Sequence, residues 1–146
     1  MYQTSNIGIR EGIIAEQQHA RGVFEVTLTL QTAAAGDPLG RLTSAKRFYG
    51  DIDGTSIGPM LAIRTAIEES AGYVALERVT GTLHGHDGTF ALQHNGLMAR
   101  GVQELSIVVV PDSGTGHLSG LTGSLKLEII DGQHHYDLTY TLPGER

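Results

Sequence analysis

Two ionisable residues interrupt segments that would otherwise be mainly apolar: Glu77 within Tyr73-Val74-Ala75-Leu76-Glu77-Arg78-Val79, and His94 closing Phe90-Ala91-Leu92-Gln93-His94. Side chains alternate between the faces of a strand, so Glu77 shares its face with Tyr73, Ala75 and Val79 while Arg78 points the other way. A carboxyl on an inner face is desolvated, which raises its pKa and suits it to general acid or base chemistry. The competing reading pairs Glu77 with Arg64 or Arg47 as a buried ion pair that only fixes register. His94 lies on the face of Phe90 and Leu92 and looks toward the same interior, either as a catalyst or as a hydrogen-bonded core residue. Tyr136 and Tyr140 share one face of the last apolar segment, as aromatic pocket walls with polar tips or as ordinary core.

Three other constellations carry less. Gly54-Thr55-Ser56-Ile57-Gly58 matches the G-x-S-x-G elbow of a nucleophilic serine. That elbow needs alternating strands and helices and usually a longer chain, so the segment reads as a glycine-flanked β-turn after Tyr49 to Asp53. Among the histidines, His84, His86 and His94 come nearest to a ligand set, but Gly85 to Gly88 reads as a hairpin corner that leaves His86 solvated, and His134 and His135 fall on opposite faces. No metal is expected. Ser113-Gly114-Thr115-Gly116 lacks the lysine and following helix of a phosphate loop and reads as a turn. No cofactor is implied.

The elements that must position these residues are strands. The best is Val23 to Leu30, where Phe24, Val26, Leu28 and Leu30 share one face and Glu25, Thr27 and Thr29 the other. Similar alternation runs through Leu105, Ile107 and Val109, through Leu125, Leu127 and Ile129, and through Tyr136, Leu138, Tyr140 and Leu142. Between the strands lie turn clusters: Gly36-Asp37-Pro38, Asp53-Gly54, Asp87-Gly88, Asn95-Gly96, Asp112-Ser113-Gly114, Leu121-Thr122-Gly123 and Asp131-Gly132. The pattern predicts an all-β chain, a single closed antiparallel β-barrel spanning 1–146, with 1–21 a loosely held lead-in or edge strand. One segment resists: Pro59 to Glu69, between Pro59 and Gly72, carries local helix signals.

Composition removes several classes. Sixteen acidic residues against ten basic give a net charge of -6, the wrong sign for neutralising phosphates, so no nucleic-acid partner is expected. The longest strongly apolar run, Ile107 to Val110, is far short of the roughly 20 residues of a membrane helix. With no cysteine there is neither disulfide framework nor thiolate chemistry, and a cytoplasmic location is the simplest reading.

From about Gly22 to Leu142 the chain resembles a family of small, uncharacterised bacterial proteins classed as a domain of unknown function, whose folds are similar to the allene oxide cyclase barrel. The resemblance rests on Phe24-Glu25-Val26, Phe48-Tyr49-Gly50-Asp51-Ile52-Asp53-Gly54, Tyr73 to Gly81, Gly88 to Gly96, Val110 to Gly116 and His135 to Tyr140. The family often has Trp where Leu28 or Thr29 stands, and a Gly where this chain has Ala75. The resemblance implies that Pro59 to Thr65 is a strand leading into Tyr73, against local propensity. It supplies a shape and no reaction, since no motif of the cyclase itself is present. The function expected is a barrel holding a small apolar ligand, lined by Glu77, His94, Arg64, Tyr73, Tyr136 and Tyr140. Left open are a cofactor-free isomerase or cyclase in which Glu77 or His94 moves a proton, a non-catalytic carrier, and a filled barrel acting through its surface as a homo-oligomer.

Overall fold

The computed structural model describes residues 16–31 and 35–143. Eight strands follow one another: β1 (Gln18–Leu30), β2 (Leu39–Gly50), β3 (Ile52–Arg64), β4 (Ala71–Leu83), β5 (His86–Ala99), β6 (Val102–Val109), β7 (Thr122–Ile130) and β8 (Gln133–Thr141). Each pairs antiparallel with its sequence neighbours, and β8 returns to β1 to close the barrel. Among the described residues no helix is long and apolar enough to cross a membrane. The part of the expected lead-in that covers 1–15 lies outside the described residues, whereas Gln18 to Arg21 already belong to β1, paired with Asp137 to Tyr140.

Three hairpins turn on two residues, His84-Gly85, Arg100-Gly101 and Asp131-Gly132, in each of which both residues have positive φ. That geometry matches the twist of the flanking strands. Asp131-Gly132 is a corner as the sequence suggests. Asp53-Gly54, Asp87-Gly88 and Asn95-Gly96 are not; they lie inside β3 and β5, and an added Cβ at Gly54, Gly88 or Gly96 would sit 2.1–2.3 Å from Thr80 O, Thr115 O or the Tyr73 ring. Close approach of a neighbour, rather than turning, explains these glycines. Pro59 likewise sits within β3, which runs through to Arg64, so pairing with β2 and β4 overrides the local helix signal.

The interior is uneven along the barrel axis. At the end where β5 begins, Phe48, Ile52, Leu83, Phe90, Leu138 and Tyr140 are buried, as are Leu118 and Leu121 around a 3-10 turn at Gly116–Leu118, with Leu118 packed against Gly88. Each such side chain contributes on the order of 1.5–3 kcal/mol by leaving water. Toward the other end the inward series continues, but Leu28, Leu30, Leu105 and Ile129 are 51%, 69%, 45% and 65% exposed. The barrel is packed at one end and has an apolar mouth at the other.

Candidate functional site

The charged cluster lies between these halves. Alternation from buried Phe48 turns Lys46 inward on β2, alternation from buried Ile52 turns Ser56 inward on β3, and Glu77 and His94 come from β4 and β5. Gly58 makes this possible: a Cβ there would lie 1.8 Å from Leu76 O and 2.7 Å from Glu77 Cα, so β3 approaches β4 closely beside the carboxylate. The ladder is interrupted at the same place, passing from the Ile57–Arg78 pair to Met60–Ala75, where Pro59 has no N–H to give.

Glu77 is 4% exposed and fully engaged. Its Oε1 accepts from Lys46 Nζ at 2.9 Å and from His94 Nε2 at 2.5 Å, and its Oε2 accepts the Ser56 hydroxyl at 2.5 Å. Burial pushes the carboxyl up, but the hydrogen bond from His94, the charge of Lys46 and the bonds from Ser56 and Lys46 outweigh it and hold the pKa at about 2. The desolvation argument gave a raised pKa, and that direction is reversed: Glu77 is held ionised, in a buried ion pair as the competing reading had it but with Lys46 as the cation. Nor are its partners Arg64 or Arg47. Arg47 points outward and pairs with Asp53 at 2.7 Å. Lys46, and Ser56 as a partner of Glu77, were missed, although each shares an inward face with a large apolar residue two or four positions away.

His94, itself 5% exposed, is fixed at both nitrogens. With Nε2–H given to Glu77, Nδ1 accepts the Tyr73 hydroxyl at 3.2 Å. The Tyr73 ring lies where a Cβ on Gly96 would stand, 2.3 Å from Cε1, so the absent side chain seats the ring. Burial and then the Glu77 charge raise the Tyr73 pKa, keeping its hydroxyl protonated. Tyr73, His94, Glu77 and Lys46 border a cavity of about 140 Å³ whose remaining walls include Phe24, Val26, Met60 and Leu127.

The other expected residues lie elsewhere. Arg64 is exposed and borders a separate cavity nearer the mouth. Tyr136 and Tyr140 are buried in the packed half: Tyr136 accepts Ile52 N–H at 2.9 Å and donates to Tyr49 O at 3.0 Å, and the Tyr140 hydroxyl lies 2.5 Å from His84 Nδ1. Neither borders the cavity that holds Glu77. His86 is half-buried, with Nδ1 3.2 Å from Leu83 O, rather than solvated. The G-x-S-x-G segment is neither an elbow nor a turn but the middle of β3, and its serine serves Glu77.

These features define a small antiparallel β-barrel with an ionisable cluster inside it. The family described as "Protein of unknown function (DUF3224)" matches residues 20–140, and the chain belongs to that family. A solved structure of a DUF3224 protein of unknown function from Shewanella oneidensis MR-1 is similar at 42% identity, with a TM-score of 0.84 over 89% of this chain and 100% of that one. No curated protein matches the chain.

Proposed function

We propose that the barrel binds a small, largely apolar organic molecule in the Glu77 cavity and moves a proton on it without a cofactor, as an isomerase or cyclase. The observation that carries this reading is the Tyr73–His94–Glu77 chain on the polar side of the cavity of about 140 Å³. A void of about 150 Å³ accepts benzene, so the space suits a single six-membered ring. An apolar carrier is served by hydrocarbon walls alone, whereas a buried carboxylate, ammonium and imidazole are costly to desolvate.

The chain has the order of a nucleophile or base, an imidazole and an orienting acid. A ligand proton passes to the Tyr73 oxygen as Tyr73 gives its own to His94 Nδ1. The imidazolium so formed is held by the fixed charge of Glu77. Running the transfer in reverse onto a different ligand carbon restores every group and leaves an isomer. Glu77, which borders the cavity with Lys46, is therefore a positioning residue, itself positioned by Lys46 and Ser56, and the groups that move the proton are Tyr73 and His94. General acid–base catalysis of this kind is worth about 10²–10⁴-fold.

Cyclohex-3-enone tests the reading, because moving a proton from C2 to C4 gives the conjugated enone, whose ultraviolet absorbance reports turnover. The wild type is expected to accelerate conversion, and Tyr73→Phe to lose about tenfold or more of that rate while still binding the ketone by NMR. Binding without acceleration in the wild type leaves a carrier. Absence of binding overturns the site.

A further inference from the structure

A second cavity, of about 320 Å³, lies toward the mouth and shares Met60 and Tyr73 with the first. Tyr73 thus stands between two chambers, its hydroxyl on His94 within the inner one. Two charged residues border the outer chamber, Arg64 and Glu104, and their faces differ. Ala62 pairs with Tyr73, and Arg64 follows two positions later, so alternation returns Arg64 to the inward face of Tyr73. Glu104 pairs with Leu97, whose side chain is 57% exposed and lies on the face opposite buried Gly96, so Glu104 faces outward. Among the described residues no carboxylate lies within ion-pair distance of the Arg64 guanidinium.

We infer that the ligand is a carboxylic acid, its reacting ring in the inner chamber and its carboxylate on Arg64 in the outer one. The inference rests on the reading of the inner chamber as a binding site. Two residues of strand span roughly 7 Å, which sets the separation between the group at Tyr73 and the anion as several bonds. The inward wall there carries Ala62, Met98 and Leu105, with Gln103, the ladder partner of Met98, as its one uncharged polar side chain besides Tyr73 among the lining residues. The planar guanidinium fork matches a carboxylate in two parallel hydrogen bonds, which a neutral terminus cannot reproduce.

Isothermal titration with three probes separates the two chambers: phenol, which the inner chamber alone can hold; 3-(4-hydroxyphenyl)propionate; and its neutral counterpart 3-(4-hydroxyphenyl)propan-1-ol. The wild type is expected to bind the carboxylate about tenfold more tightly than the alcohol. Arg64→Leu should erase that preference and leave phenol unchanged, and Arg64→Lys should restore part of it. Arg64 is exposed, so neither substitution disturbs the core. If phenol binds but the wild type shows no preference for the carboxylate, or Arg64→Leu retains one, the anchor is overturned and the inner chamber stands. If none of the three binds, both are overturned.

Discussion

His94 lies diagonally across the β4–β5 ladder from Glu77, whose direct partner is Leu92, and the diagonal brings Nε2 to 2.5 Å from the carboxylate oxygen that also takes Lys46 at 2.9 Å. One oxygen so serves two donors from different strands, and removing the charge strands both in the interior. Glu77→Gln is expected to destabilise the barrel by about 3–5 kcal/mol in urea unfolding.

The same cluster sets the acid response. The folded carboxyl titrates at about 2 against an ordinary 4.5, so the unfolded chain binds the proton more readily. Its contribution, on the order of 3 kcal/mol, is complete above the unfolded value and is lost as pH falls through that window toward the folded value. Urea midpoints measured from neutral to acid pH should fall in the wild type and fall less steeply in Glu77→Gln. Equal acid sensitivity in the two proteins assigns the loss to other groups.

Two glycines beside the cluster should respond differently to the same added methyl. At Gly58 the obstruction is backbone, Leu76 O at 1.8 Å, which cannot move without parting β3 from β4. Gly58→Ala is expected to cost about 3 kcal/mol or more, beyond ordinary overpacking. At Gly96 the obstruction is the half-buried Tyr73 ring, which can swing toward the mouth. Gly96→Ala should keep most of the stability yet remove the Tyr73–His94 contact, visible as a shift of the His94 ring protons by NMR and as lost enone turnover.

Period-two alternation revealed the barrel and the inward faces of Glu77, His94 and Tyr73, because a buried face imposes its pattern on sequence. It could not reveal which strands bring a cation to Glu77: Lys46 and Arg47 are adjacent, and only the face set by Phe48 distinguishes them. Glycine was the main source of error. Asn95-Gly96 has the composition of a hairpin corner, but Gly96 makes room for Tyr73, while the neighbouring corner is Arg100-Gly101. A glycine admitting a close neighbour and a glycine turning the chain look alike until pairing is known. The placement of Tyr136 in the packed half was equally hidden, since alternation fixes a face and not a depth.

That depth makes Tyr136 a control for the site. Its hydroxyl satisfies the buried Ile52 N–H, so Tyr136→Phe should cost about 1–3 kcal/mol while leaving ligand binding and enone turnover unchanged. Burial pushes its pKa up to about 12, only partly offset by the Ile52 bond. The protonated phenol is thus favoured by folding, a contribution present below the ordinary value of 10.0 and lost as pH rises through about 12. In an ultraviolet alkaline titration one tyrosine should ionise together with unfolding near pH 12, and this step should vanish in Tyr136→Phe.

The seam between β6 and β7 is the weakest part of the wall. Among the described residues its only registered pair is Val108 with Ser124. Carrying that register toward the mouth would set Glu104 directly opposite Glu128, and like charges facing each other across a ladder oppose pairing. Backbone amides of Val102 to Ser106 and Lys126 to Ile130 that face the seam should therefore exchange with deuterium sooner than those in the continuous β2–β3 ladder. Glu104→Lys replaces repulsion by attraction and should slow exchange along the seam by the equivalent of about 0.2–1 kcal/mol, leaving β2–β3 unchanged. Slower exchange in both places would mean a global gain in stability, and no change in either would show that charge is not what holds the seam apart.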